Sequence, residues 1–264
     1  MNKPFFHYVI HASVAVERKN AILENFHKYG IEPQFFEAVM GNKLSPQQLE
    51  KLHVDTGIMS LGEVGCTLSH LGIYRKLLES QEPYVFVFED DAYLNAEFFR
   101  DLSDLMHFLD NHPEPIVFLL HKVIAHTKTR VKRAGKPFIR HCLAGSGGYG
   151  YAINRKAAEN MLRLHTFPRM EIDAWAQYKK LNLLDIFCTE EDLVTIHEEN
   201  DSNSVIDRIA PRAQKDRKYL KKMKRKRMKN FYRTMSGREK MVMQAKRLWH
   251  HIQEFYYDKE VKPE

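Results

Sequence analysis

The sequence is poor in cysteine, and this scarcity excludes several kinds of protein. Three cysteines occur among 264 residues, at positions 66, 142 and 188. Because a secreted disulfide framework needs an even and denser set, we expect the chain to work in a reducing compartment. No CxxC motif occurs, and no Cys/His pair stands at the spacing typical of a zinc site.

Long apolar runs are missing as well. Runs such as 85–88 and 116–120 contain four or five residues, whereas a helix that spans a bilayer needs about 20. The first residues contain no apolar stretch of signal-peptide length. We therefore expect a chain that is neither exported by a cleavable signal nor anchored by a spanning helix. The composition, 44% hydrophobic and 28% charged, is that of a globular protein rather than a disordered or fibrous one.

The positive charge is concentrated in one segment. Residues 212–240 contain 14 Lys or Arg and two acidic residues, which gives this segment a net charge of +12. The net charge of the whole chain is +7, so the other residues together carry −5. The body of the chain is therefore mildly acidic. Any partner inferred from the basic isoelectric point must bind the C-terminal segment.

Short apolar segments alternate with amphipathic ones up to about residue 203. They predict strands at 8–10, 34–39, 84–88, 116–120, 138–143, 149–153 and 193–196. Helical spacing predicts helices at 16–29, 63–79, 98–109, 154–164 and 172–180, and a capping box of Ser45 and Gln48 predicts another. This alternation predicts an α/β domain with a mostly parallel sheet. Two further helices are predicted, broken at Ser236-Gly237, the second with an apolar stripe at 241, 245, 248, 252 and 255.

Three carboxylates, Glu89-Asp90-Asp91, directly follow the apolar strand 84–88. Packed together they would repel one another unless a cation lay among them. Hard oxygen ligands of this kind suit Mg²⁺ or Mn²⁺, and ligands of open α/β sheets bind at the carboxyl ends of strands. The pattern therefore favours a metal that bridges carboxylates and a pyrophosphate. The alternative is a solvated strand-to-helix turn with an aspartate as N-cap.

Four segments together resemble the family 25 glycosyltransferases of lipopolysaccharide and lipooligosaccharide biosynthesis. They are YVIHASVAVERK at 8–19, GEVGCTLSH at 62–70, VFEDDA at 87–92 and GYGYAI at 148–153, which runs into Ala157-Ala158. The resemblance covers roughly residues 8–204. It implies a GT-A-type nucleotide-sugar fold, a divalent metal and inversion at the anomeric carbon, with galactose from UDP-galactose as the usual transfer and glucose in some members. On this basis, 1–207 is the catalytic domain and 208–264 a basic helical segment.

The resemblance and the motifs together nominate residues for each role. Contacts to the donor are expected from Ile10, His11, Arg18, Glu63, Gly65, Ser69, His70, Glu89, Asp90, Gly147 and Gly148. The metal is expected on Glu89, Asp91 and His197. The acidic motif begins with Glu89 where the family has Asp, which makes Asp91 the preferred ligand. The alternatives are ordinary surface positions for Arg18, Ser69 and His70, a flexible turn at 145–148, and a bystander role for His197.

An inverting transfer needs a base that accepts the proton of the acceptor hydroxyl. The resemblance places an acidic residue after the Gly-Tyr helix, which makes Asp173 the candidate. Glu171 and the cluster 190–192 are rivals, and Asp173 could instead be a helix N-cap.

The basic segment 218–233, KYLKKMKRKRMKNFYR, has aromatic residues and methionines among its charges. Such a helix suits an anionic bilayer, and an enzyme that adds sugars to a lipid-anchored lipooligosaccharide needs this placement, at the cytoplasmic face of the membrane. The alternatives are a charged helix packed on its own acidic body, a nucleic-acid-binding tail, a nucleotidyltransferase and a non-catalytic scaffold. Nucleic-acid binding leaves the acidic loop without a use, so we expect no nucleic-acid partner. A nucleotidyltransferase would need a Gly-rich triphosphate loop after the first strand, where HASVAVERK stands instead.

Overall fold

The computed structural model describes residues 5–127, 131–133, 136–196, 217–256 and 259–261. Its strands are β1 (His7–His11), β2 (Phe35–Glu37), β3 (Tyr84–Glu89), β4 (Ala92–Leu94), β5 (Ile116–Leu119), β6 (Ala125–Thr127), β7 (Val131–Arg133), β8 (Lys136–Ala144), β9 (Gly150–Asn154), β10 (Asp185–Cys188), β11 (Val194–Ile196) and β12 (Lys259–Val261). Its helices are α1 (Val16–His27), α2 (Pro46–Lys51), α3 (Leu61–Glu79), α4 (Ala96–Asp110), α5 (Arg155–Leu164), α6 (Trp175–Lys180), α7 (Arg217–Thr234) and α8 (Gly237–Tyr256), with a 3₁₀ turn at Gly41–Lys43.

One large sheet organises the described part of the chain, in the order β12-β6-β8-β10-β5-β9-β3-β1-β2, with β7 added on β8. Strands β2, β1 and β3 are parallel to one another, and β5 is parallel to β10. Strand β9 is antiparallel to both β3 and β5, so five of the six central strands share one direction. The predicted α/β fold with a mostly parallel centre is confirmed. The outer strands β8, β6 and β12 pair in antiparallel fashion instead.

Both faces of the sheet are buried under helices. Successive side chains of a strand point to opposite faces. In β3, Val85 and Val87 join the core under α3, α5 and α6, whereas Phe86 and Phe88 join the core under α1 and α4. Strands that are buried on both faces are nearly continuous apolar runs, which is why β3 and β5 could be predicted from the sequence.

Two capping boxes fix where helices begin. Ser45 and Gln48 exchange hydrogen bonds at the start of α2, as predicted. Ser60 and Glu63 form the same arrangement at α3, which therefore begins two residues earlier than the apolar spacing indicated. In each box two backbone N–H groups that lack a helical partner are satisfied.

The two C-terminal helices are broken at Ser236, as predicted, and they pack on the body. The buried side chains of this region are Leu220, Met228, Phe231, Met235 and Met243. The predicted stripe of α8 is not its packing face, since Met241 is 67% and Leu248 63% exposed. Among the described helices, none combines the length and apolar character needed to cross a bilayer. The predicted boundary at residue 207 lies outside the described residues.

Candidate active site

The acidic loop lies at the carboxyl end of β3, between β3 and β4. Glu89 is the last residue of β3, paired in register with Ile10 of β1, and its N–H donates to the carbonyl of Tyr149. The loop is therefore at the edge where the parallel strands β1 and β3 both end, which is where ligands of α/β sheets bind.

Of the three carboxylates in this loop, Asp90 has the most partners within the protein. Asp90 accepts a hydrogen bond from Arg18 Nη1 at 2.7 Å, and its other oxygen lies 3.1 Å from His11 Nδ1. The same Arg18 nitrogen is 3.5 Å from Asp91 Oδ2. Arg18 and His11 thus hold Asp90 in place. Their predicted contacts to a donor stay a prediction.

Asp91 is repelled by its acidic neighbour, as expected from the sequence. Burial and, next, the charge of Glu89 raise the pKa of Asp91 to about 7, although Arg18 acts in the opposite direction. Its Oδ1 is buried and accepts no hydrogen bond from any residue that the structure describes. A buried carboxylate oxygen without a donor, beside a second carboxylate, fits a hard divalent cation. Glu89 and Asp91 therefore fit the predicted metal, whereas His197 lies outside the described residues.

A Cys/His pair that the sequence reading missed adjoins Glu89. Ligand atoms of Cys66, His70 and Glu89 lie within 4.8 Å of one another, because residues four apart share one face of α3. His70 is fully buried, with Nδ1 2.7 Å from the Tyr151 hydroxyl and Nε2 3.4 Å from Glu89 Oε1. Burial raises the pKa of the Cys66 thiol well above its usual range. His70 is therefore an internal support of Glu89 and not a surface residue.

Three residues with predicted donor contacts also support α3 within the protein. The Ser69 hydroxyl donates to the Gly65 carbonyl and accepts from Val39 N–H, both at 2.8 Å. A Cβ on Gly65 would lie 2.2 Å from the Val39 carbonyl oxygen, so glycine here permits the close approach of helix and loop. Glu63 accepts from Ser60 N–H at 2.7 Å. Gly65 is thus needed for the contact of α3 with the segment before it, and the predicted donor contacts of Glu63, Gly65 and Ser69 stay predictions.

The glycine turn before β9 brings Asp173 towards Glu89. Gly147, at φ +99°, donates its N–H to Asp173 Oδ2 at 3.1 Å, and Trp175 Nε1 donates to the Gly147 carbonyl at 2.9 Å. A Cβ on Gly148 would be 3.1 Å from Glu89 Oε1 and 3.8 Å from Asp173 Cβ. The turn is therefore fixed, and its lack of side chains lets Glu89 and Asp173 face each other across it.

Asp173 is the only one of the five candidate bases without an ion-pair partner among the described residues. The N-cap of α6 is Ala174, so Asp173 is not the cap. Burial, more than any other cause, raises the pKa of Asp173. The rival carboxylates are engaged elsewhere: Glu171 with Lys224, Glu190 with Arg140, Glu191 with Arg100 and Asp192 with Lys122.

Two cavities meet at the acidic loop. The smaller, of about 130 Å³, lies at the end of β1 and includes Ile10, Arg18, Val39 and Asp90. The larger, of about 1160 Å³, contains Asp173, Gly147 and Gly148 and is closed on one side by α7. Both are lined by Cys66, Glu89 and Asp91.

The sequence of this region matches a known family over most of the body. The model of the family described as glycosyltransferase family 25 (LPS biosynthesis protein) matches residues 5–176. The chain belongs to glycosyltransferase family 25. The acidic loop, the glycine turn and Asp173 all lie inside the match, whereas α7 and α8 lie outside it.

Individual relatives share part of their length with this family 25 chain. It is 25% identical over 165 residues to the lipooligosaccharide biosynthesis protein lic2B of Haemophilus influenzae. The aligned region covers 58% of this chain and 61% of that protein. The chain is 28% identical over 159 residues to the lacto-N-neotetraose biosynthesis glycosyltransferase LgtB of Neisseria meningitidis serogroup B, covering 57% and 58%. Procollagen galactosyltransferase 2 of Homo sapiens is 23% identical over 178 residues, covering 62% and 28%. The chain thus spans less than two thirds of each of these relatives.

Proposed function

We propose that the protein is an inverting hexosyltransferase that transfers galactose from UDP-galactose to a lipooligosaccharide acceptor. The observation that carries this proposal is the shared cavity of Asp173 and the Glu89/Asp91 pair, separated by the side-chain-free turn at Gly148. Family membership and the names of the bacterial relatives support the acceptor class, and the galactosyltransferase relative supports the sugar.

The donor would occupy both cavities. A volume of about 130 Å³ is too small for a whole nucleotide sugar, since pockets for ligands of that size measure roughly 300–1,000 Å³. The smaller cavity offers the apolar side chains of Ile10 and Val39 and suits the nucleoside end. The sugar would then extend past Asp91 into the larger cavity, where Asp173 lies.

Glu89 and Asp91 would hold Mn²⁺ or Mg²⁺, which, when bound, neutralises charge on the departing diphosphate. Asp173 accepts the proton of the acceptor hydroxyl. Gly147 N–H fixes Oδ2 of Asp173, so that Oδ1 is left for this proton. The raised pKa of Asp173 brings the carboxylate closer to the operating pH, which favours proton transfer.

We also propose that the protein works on the cytoplasmic face of the membrane, bound to anionic lipid. The exposed cations Lys222 and Lys226 on α7 and the exposed Met241 and Leu248 on α8 support this placement. Each basic residue near such a surface contributes on the order of 1 kcal/mol. Because α7 packs on the body, charge variants test this better than truncation. Lys222→Gln with Lys226→Gln should weaken co-sedimentation with phosphatidylglycerol vesicles, and unchanged co-sedimentation would count against it.

A donor screen tests the transferase proposal. The protein is incubated with Mn²⁺, a bacterial core oligosaccharide and UDP-galactose, UDP-glucose or UDP-N-acetylglucosamine in turn, and UDP release is followed. We expect release with UDP-galactose above all, and none in the Asp173→Asn variant. No turnover with any donor, together with tight and salt-sensitive DNA binding, would favour the nucleic-acid-binding alternative instead.

A further inference from the structure

Helix α7 forms one wall of the larger cavity. The residues that it contributes are Leu220, Lys221, Lys224, Arg225 and Met228. They recur at intervals of one, three and four, which places them on one face of the helix. Basic residues that the sequence alone assigned to an outer surface therefore face the site.

This wall is fixed to the body rather than loosely apposed. Met228 and Phe231 are buried in the main core. Lys224 forms an ion pair with Glu171, and Arg227 donates to the Arg169 carbonyl at 2.9 Å. The cations next to these anchors are consequently held at the rim of the cavity.

Two cations of the wall have no partner of opposite charge in the described part of the chain. Lys224 is neutralised by Glu171, whereas Lys221 and Arg225 are exposed and form no ion pair among the described residues. They line a cavity whose wall also contains Glu63, Glu89, Asp91 and Asp173, none of which belongs to α7. An anion would therefore be attracted to the α7 side and repelled from the acidic side.

The position of this wall relative to the two cavities indicates which substrate meets it. Asp173 lines the larger cavity, and neither Asp173 nor any residue of α7 lines the smaller one. Arg18 is the cation of the smaller cavity, next to the acidic loop. Because the acceptor hydroxyl must reach Asp173, the α7 wall lies on the acceptor side of the site.

We propose that Lys221 and Arg225 bind an anionic group, phosphate or carboxylate, of the acceptor. This inference rests on the proposed function, since it assigns the acceptor to the cavity of Asp173. The arginine fork and the lysine ammonium both suit an anion with several oxygens. The acceptor is thus an acidic oligosaccharide and not a neutral one, and the acidic side of the cavity orients it by repulsion.

The test compares two double variants of the full chain. Lys221→Gln with Arg225→Gln removes the two cavity cations, whereas Lys229→Gln with Arg233→Gln removes two exposed cations of α7 that do not line the cavity. Both retain Lys224 and its ion pair with Glu171. Calorimetry with saturating UDP and Mn²⁺ measures the Kd of three acceptor preparations: bacterial core oligosaccharide, the same after dephosphorylation, and the same after carboxyl reduction.

We expect the cavity variant to bind the untreated oligosaccharide about tenfold more weakly, as loss of two partly exposed charge contacts predicts, and the control variant to bind as the wild type does. Removal of the recognised group, phosphate or carboxylate, should weaken wild-type binding to the same extent and abolish the difference between the variants. An equal loss in both double variants, no loss in either, or a loss confined to UDP affinity would each overturn the assignment.

Failure of this inference is distinguishable from failure of the proposed function. Calorimetry needs no turnover, so the anion preference is measured even if no donor supports transfer. Conversely, wild-type transfer with unchanged acceptor KM in the cavity variant would retain the transferase and reject the anion site.

Discussion

Replacement of Asp173 by Asn removes the proposed base with little change of shape. The Asn side-chain oxygen can still accept the hydrogen bond from Gly147 N–H, 3.1 Å away in the wild type. Burial disfavours the charged form of Asp173 and raises its pKa, so a neutral amide at this position should not destabilise the fold. The substitution therefore separates the loss of a proton acceptor from the loss of structure.

The expected effect is large on the rate and small on binding. General-base catalysis contributes typically about 10²–10⁴-fold, or roughly 3–5 kcal/mol of the barrier. We expect transfer from UDP-galactose, measured as initial UDP release, to fall by that factor. The Kd of UDP with Mn²⁺, measured by calorimetry, should change by less than about threefold, because Asp173 does not line the smaller cavity.

The neighbouring acid supplies a matched control. Glu171→Gln removes a carboxylate two residues away that pairs with Lys224, and we expect it to retain most of the activity. A transfer rate of Asp173→Asn within tenfold of the wild type, with the fold intact, would refute the role of Asp173. A loss in Glu171→Gln equal to that in Asp173→Asn would refute the choice between them.

Three further predictions concern the supports of the site. Gly65→Ala should lower the free energy of unfolding by more than about 2 kcal/mol in urea titrations, because its Cβ would lie 2.2 Å from the Val39 carbonyl oxygen; near-wild-type stability would contradict this packing. Burial lowers the pKa of His165 to about 3. Between pH 6.5 and 3 the unfolded chain therefore binds one proton more than the folded chain, and the free energy of unfolding falls as the pH falls, by up to about 1.4 kcal/mol per pH unit. His165→Gln should flatten that slope. Trp175→Phe removes the indole N–H that donates to the Gly147 carbonyl at 2.9 Å. The free energy of unfolding should fall by roughly 1–3 kcal/mol, and the transfer rate should fall as well. An unchanged melting temperature and rate would show that the turn does not need this bond.

Elements with a local signal could be predicted from the sequence. Strands β3 and β5 are buried on both faces, and the box of Ser45 and Gln48 is formed within four residues. Strand β10 was missed, because Asp185–Cys188 continues an apolar stretch that follows α6 without a clear boundary. Strand β11 was predicted at 193–196. Its partner, the three-residue strand β4, was not, because β4 owes its conformation to pairing with β11 across about a hundred residues, and such pairing leaves no local pattern.

The site was predicted in its parts but not in its arrangement. Asp173, Gly148 and Glu89 were nominated separately, and the structure brings them together. Asp90 was nominated for a donor contact, and its hydrogen bond from Arg18 could not be read from the sequence, because the two residues are 72 positions apart. Cys66 was passed over, since its proximity to Glu89 arises from the packing of α3 against β3.

The C-terminal helices show the same limit for charge. The sequence reveals that residues 212–240 are basic, but a charge count does not tell which face packs. Buried Met228 and Phe231 settle this for α7, and they turn Lys221 and Arg225 towards the cavity. The described residues of α7 thus show a charged helix that packs on the acidic body of its own chain, which was one of the alternatives for this segment.

We propose that Asp91, whose Oδ1 is buried and unbonded among the described residues, holds the dication that a nucleotide diphosphate shares. Calorimetry of UDP binding with and without Mn²⁺, on the wild type and on Asp91→Asn, tests it most directly. We predict that Mn²⁺ raises the UDP affinity of the wild type and that the variant loses at least about tenfold of this increase, as is usual when a metal site is disturbed. An Asp91→Asn protein whose Mn²⁺-dependent UDP affinity equals that of the wild type would show that Asp91 does not hold the metal.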